Sequence, residues 1–243
     1  MTAVALSPRR VLATREAAWA RRLARMLGRT RVSPNAVSVA GVGCALVACA
    51  AFASAPAATG VPRALVFVTA AAAIQLRLLC NLLDGMLAVE EGLATPLGDL
   101  YNEIPDRLAD VAILIGAGAA VRELTGGLAL GCAAAVAALF TAYVRALGGS
   151  LGLTQRFIGP MAKQHRMFVL TVGAVCAATE SSFNLPPQSV RAALAVIAAG
   201  AIVTAWRRIR LIARELERVP PPGARGVPGS PRGDAPRMEM EER

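Results

Sequence analysis

Lysine and histidine are almost absent from this chain of 243 residues. Lys163 is its one lysine and His165 its one histidine, although lysine and arginine together number 26. Charged residues of either sign make up 17% of the sequence, against 55% hydrophobic. A water-soluble domain of this length would not need apolar runs of about 20 residues one after another, so the composition points away from a soluble bundle. Five cysteines, Cys44, Cys49, Cys80, Cys132 and Cys176, show neither CxxC nor Cys/His spacing. They read as small packing residues rather than a zinc site or disulfide framework. The first thirty residues are rich in Arg and hold no central apolar stretch, so no cleavable signal peptide is expected there. No internal repeat stands out.

What is present is a series of six apolar runs, at about 35–57, 64–89, 96–121, 128–147, 167–178 and 190–206. The expected fold is all-α: a polytopic membrane protein with six transmembrane helices. The fifth run is short, and its helix is expected to begin earlier, near Pro160. Arg9, Arg10, Arg15, Arg21, Arg22, Arg25, Arg29 and Arg31 precede the first run, and Arg207, Arg208, Arg210, Arg214 and Arg218 follow the last. Only Arg63 and Arg122 lie in the loops after the first and third runs. The positive-inside rule then puts both termini, and the loops after runs two and four, in the cytoplasm of a bacterial-type plasma membrane. The formal charge of +10 fits topology and anionic headgroups, and no nucleic-acid partner is expected.

The chain divides into three parts. Residues 1–33 form a cytoplasmic juxtamembrane segment, in which 7–31 read as an interfacial amphipathic helix with Val11, Leu12, Ala18, Trp19, Leu23 and Met26 on its apolar face. Ser33-Pro34-Asn35 breaks it and starts the first span. Residues 34–215 form the six-helix membrane domain, and 216–243, dense in Pro, Gly and Arg, read as a disordered tail.

The chemistry concentrates between the second and third runs, in NLLDGMLAVEEGLATPLGDLYNEIPDRLAD, residues 81–110. Asn81, Asp84 and Ala88 fall on one helical face at spacings of three and four. Thr95-Pro96 suits a helix start. Gly98, Asn102, Asp106 and Asp110 then recur every fourth residue on one face of the next helix. Two such faces together form an oxygen-rich cup at the membrane surface, the kind of ligand set that hard divalent cations take. Gly85, Ala88 and Gly98 leave room for a ligand to approach the backbone. Glu103 and Arg107, four apart, are expected to pair with each other. The plain alternative is two solvated helix ends. Six polar groups interleaved with small residues favour a site, and their place at helix ends argues against a transporter with carboxylates at the bilayer midplane.

This segment resembles the signature of the CDP-alcohol phosphatidyltransferase family, D-x2-D-G-x2-A-R-x8-G-x3-D-x3-D. In register, Asn81 and Asp84 stand at the first two acids, Gly85 and Ala88 at the Gly and Ala, and Val89 at the Arg. Gly98 stands at the second Gly, and Asn102 and Asp106 at the last two acids. The resemblance, over about residues 30 to 215, implies a cytoplasmic site for a CDP-linked lipid donor and an alcohol acceptor, and a homodimer is the family's habit. It implies Mg²⁺ or Mn²⁺ on Asn81, Asp84, Asn102 and Asp106, nucleotide contacts from Asp84, Gly85, Ala88 and Gly98, and Asp106 as the catalytic base. Three positions depart from the signature: Asn at 81 and 102, and Val at 89. Two charges are thereby lost from the metal set, with Asp99, Glu103 and Asp110 close enough in sequence to compensate.

Lys163, His165 and Arg166 cluster in GPMAKQHRM at the start of the fifth span, and Arg145 ends the fourth. In a chain that otherwise uses Arg for every side-chain cation, a lone Lys suits a compact phosphate contact. Chance plus the positive-inside rule would explain it equally well. By the resemblance, Arg145, Lys163 and Arg166 line the acceptor pocket. The expected activity is transfer of a phosphatidyl-type group to an alcohol with release of CMP. The alternative is a relative that binds the CDP-lipid or assists assembly without that chemistry.

Overall fold

A computed structural model describes residues 18–30, 32–90, 98–153 and 159–218, with the side chains at 89, 90, 98, 99, 101 and 102 left aside. The described residues form seven α-helices and no strand. They are α1 (Ala18–Arg29), α2 (Pro34–Ser54), α3 (Gly60–Glu90), α4 (Gly98–Ala120), α5 (Gly127–Ser150), α6 (Lys163–Ser182) and α7 (Gln188–Glu217). The Thr95-Pro96 helix start and the 216–243 tail, apart from 216–218, fall outside the described residues.

Among the described residues, four helices are long and apolar enough to cross a membrane: α2 with its short 3-10 extension (Pro34–Ala57), α3 over Gly60–Ala88, α5 and α7. Helices α4 and α6, of 23 and 20 residues, are interrupted by the charges of the site. Val39, Leu46, Leu65, Val136, Val175 and Ile202 point outward. Such aliphatic faces suit lipid tails rather than water.

Local sequence explains the helix ends. Ser33 caps α2, its hydroxyl accepting from the Ala36 amide at 3.1 Å, and Pro34 follows at the first turn, where a missing N–H does no harm. Between α6 and α7 the chain turns through Asn184 in the left-handed region. Glu180 accepts from the Ser189 amide and hydroxyl at the start of α7, and Arg63 ties the same turn to α3 by donating to Ser181 Oγ and the Leu185 carbonyl.

Helix α2 packs on α3 and α4, α3 on α6, and α5 on α4 and α7, with α6 and α7 closing the bundle. The core is built chiefly from Ala, with Phe52 and Phe67 meeting edge to face at 6.2 Å. Small residues let backbones approach closely where burial in lipid gives little drive for association. At the α4–α5 crossing, a Cβ on Gly118 would lie 2.8 Å from the Gly131 Cα, and one on Gly116 would lie 2.8 Å from the Cys49 Cα of α2. This fits the reading of Cys49 as a packing residue, and all five cysteines are free.

The first helix differs in detail from its expected face. Ala20 and Ala24 are buried, with Leu23 and Leu27 packed against a small cluster that includes Leu82, Leu83, Met86 and Leu87 of α3. Trp19 and Met26 are exposed. Protein contact thus takes Ala20, Leu23, Ala24 and Leu27, while Trp19 and Met26 face outward where a membrane interface would receive them.

Candidate active site

Helix α3 carries the first half of the signature and α4 the second, and their polar faces meet. Asn81 Nδ2 donates to both carboxylate oxygens of Asp106, at 2.8 and 3.0 Å. The amide orientation follows from chemistry, since a carbonyl oxygen turned toward the carboxylate would oppose its lone pairs. Lys163 Nζ, from the first turn of α6, donates to Asp106 Oδ2. Arg77 Nη2, one turn before Asn81, donates to Asp106 Oδ1 at 3.2 Å and to the Asp106 carbonyl at 3.0 Å. Asp106 therefore receives three donors on its two oxygens.

A second layer lies beneath. Asp110, 2% exposed, accepts from Arg166 Nη2 at 2.8 Å. Arg166 also donates to the Met161 carbonyl and is itself buried. Arg77 Nη2 lies 2.9 Å from Asp110 Oδ1, within ion-pair distance but outside hydrogen-bond geometry. Arg77 is the largest fully buried side chain, at 1% exposed, and its Nε and Nη1 have no hydrogen-bond partner. On the other side of α3, the buried Asp84 accepts from Ser38 Oγ of α2 at 2.7 Å and lies within electrostatic reach of Asp106 and Lys163.

The charges balance. Asp84, Asp106 and Asp110 stand with Arg77, Lys163 and Arg166, so the cluster is formally neutral. A cavity of about 420 Å³ opens beside it, lined by Asn81, Lys163, Gln75 and Gln164 with Trp19 and three leucines of α3. Asn81 and Lys163 are the members of the Asp106 group that reach it.

The expected site residues divide accordingly. Asn81, Asp106 and Lys163 come together at the cavity. Asp84 is turned to Ser38, and Gly85 and Ala88 are half-buried along α3. Gly98 opens α4, while the side chains of Val89 and Asn102 lie outside what is described. Arg166 braces Asp110 from a buried position instead of facing a ligand. Arg145 binds Glu103 at 2.7 Å, and Glu103 also pairs with Arg107 as expected. This trio belongs to the α4–α5 side of the bundle, where Glu103 and Arg107 line a separate apolar groove. His165 Nδ1 contacts the Pro160 carbonyl at 2.8 Å.

Arg77 went unread in the sequence, yet a signal was there. It is the one cation in the apolar run 64–89, where a charge is costly and therefore points to a partner.

The described residues at the site do not fit the divalent metal that the resemblance implies. Among the described residues no three His, Cys, Asp or Glu side chains converge. Asp106 is already saturated by Asn81, Arg77 and Lys163, Asn81 presents its NH₂ rather than its oxygen, and the cluster carries no net negative charge to draw a dication.

Neither protein-family models nor curated proteins give a match to the chain. Solved structures do. The chain is similar to the Mycobacterium tuberculosis phosphatidylinositol phosphate synthase PgsA1 with CDP-DAG bound, at 20% identity and TM-score 0.68, over 81% of this chain and 94% of that one. The same enzyme in complex with manganese and citrate matches at 19% identity and TM-score 0.67, over 80% and 88%. Its apo form matches at 20% identity and TM-score 0.64, over 79% and 95%. The chain therefore has the helical fold of PgsA1.

Proposed function

We propose that the protein transfers a phosphatidyl-type group from a CDP-linked lipid, such as CDP-diacylglycerol, to the hydroxyl of an alcohol acceptor, releasing CMP. The observation that carries this reading is Asp106 held beside Lys163 and Asn81 at the wall of a cavity, in this fold. In the reaction the acceptor oxygen forms a bond to the lipid-side phosphorus. The bond from that phosphorus to the bridging oxygen breaks, and CMP leaves with the electron pair. The hydroxyl proton passes to a carboxylate oxygen of Asp106.

At rest both Asp106 oxygens are occupied by donors from Asn81, Arg77 and Lys163. An arriving phosphate competes for Lys163. As the ammonium turns to the phosphate, an Asp106 oxygen is freed to accept the hydroxyl proton. Arg77 and Asn81 meanwhile hold its orientation.

The basic residues flanking the membrane domain support a cytoplasmic site and cytoplasmic termini. Six spans then follow from α2 to α7, with α1 along the interface. The α4–α5 groove is where a homodimer of the family's kind would be sought.

The test is a survey of alcohols, among them glycerol phosphate, inositol phosphate and serine, with CDP-diacylglycerol in proteoliposomes and mass spectrometry of the lipid products. A new phosphatidyl lipid that disappears in Asp106→Ala supports the reading. The saturated Asp106 favours one alternative, a CDP-lipid-binding or assembly protein without turnover. Tight CDP-lipid binding with no product from any alcohol would establish it instead.

A further inference from the structure

Two carboxylates can share a site only if a proton or cation lies between them. At the first acid position of the signature this chain has Asn81, whose amide bonds directly to both oxygens of Asp106 at 2.8 and 3.0 Å. The amide thus makes the link that a bridging cation would otherwise make. One turn earlier stands Arg77, 1% exposed, on Asp106 and Asp110. Lys163 closes the arrangement from α6. Two of these three lie on α3 four residues apart, and the third is the single lysine of the chain.

We propose that Lys163, backed by Arg77, supplies the positive charge for the diphosphate of the donor, so that the protein binds its phosphate-bearing ligand without a divalent metal. This rests on the reading of the cavity as a CDP-lipid site. Lys163 is 19% exposed, and together with Asn81 it lines the cavity. The Lys163 ammonium therefore stands where an arriving phosphate can accept from it. Arg77 is too deep to touch a ligand. It is a positioning residue: its charge neutralises Asp106 and Asp110 from behind, so that Lys163 can leave Asp106 for the ligand without exposing an unpaired buried carboxylate.

The test uses the full chain in detergent micelles, with manganese alone and CDP-diacylglycerol as probes. Free Mn²⁺ is followed by electron paramagnetic resonance and lipid binding by calorimetry, with and without EDTA. Wild type should show no saturable Mn²⁺ site, and its CDP-lipid affinity in EDTA should stay within about twofold of that in Mn²⁺. Lys163→Met should weaken lipid binding in EDTA by about tenfold or more. Arg77→Leu combined with Asn81→Asp should gain a Mn²⁺ site and make lipid binding sensitive to EDTA. Lipid binding that EDTA abolishes in wild type, a stoichiometric wild-type Mn²⁺ site, or an unchanged Lys163→Met overturns the proposal while leaving the transfer reading intact. No CDP-lipid binding in either condition overturns both.

Discussion

Asn81 is the residue on which the chemistry of the site turns. Replacing it by Asp sets two carboxylates about 3 Å apart with no cation between them. Asn81→Asp is expected to lower the melting temperature in EDTA, with Mn²⁺ restoring part of the loss, and a melt in each buffer checks this. An unchanged melt in EDTA would mean that the Asn81–Asp106 contact matters little. Ser38 offers a simpler case, because it donates to the buried Asp84 at 2.7 Å. Ser38→Ala leaves that carboxylate without its hydroxyl donor and should cost about 1–3 kcal/mol in stability, read from denaturant unfolding. Arg77 shows where residue-level reading of the sequence stops. A lone cation in an apolar run announces a partner, but Asp106 and Asp110 lie 29 and 33 positions away on another helix, and no spacing rule reaches that far. Asn81 and Asp106 were legible because a signature set them in register. Arg145 was legible as a cation at a helix end, though not as the partner of Glu103, 42 positions away.

Among elements, α4 carries the site and also makes the tightest helix contacts. Gly118 and Gly131 bring α4 and α5 so close that a Cβ on either would stand under 3 Å from the other's Cα. Gly118→Val should push the two helices apart and lower the yield of folded protein, measured by monodisperse elution in detergent. A glycine-to-alanine change at the exposed Gly126 should matter less through packing, since nothing lies near its Cβ, and its effect would come from the left-handed backbone. Most of the helices were legible from the apolar runs. For α6 an early start near Pro160 was legible, and the helix begins at Lys163, but its far end at Ser182 lies beyond the apolar run 167–178. Gln164, His165 and Arg166 break the hydrophobic pattern at its start, but Arg166 finds Asp110 and Met161 inside the bundle. At its far end Glu180 finds the start of α7. Polar residues satisfied by tertiary partners hide a helix from any reading of hydrophobicity alone.

Across the described residues, a bundle of mostly small residues holds a charge-balanced polar cluster next to a cavity. The charge balance predicts a site that is stable without ligand and that opens when a phosphate draws Lys163 away from Asp106. The arginines at both ends of the chain predict cytoplasmic termini, which a phosphatase-type topology reporter fused after Arg218 should show by staying inactive. The most direct test of the central claim, that Asp106 is the centre of a phosphatidyl transfer, is release of CMP from CDP-diacylglycerol by purified protein in proteoliposomes offered a panel of alcohols. Wild type is predicted to release CMP in step with a new phosphatidyl lipid, and Asp106→Ala to fall by roughly a hundredfold or more. CMP release that is absent with every alcohol, or that persists unchanged in Asp106→Ala, would contradict it.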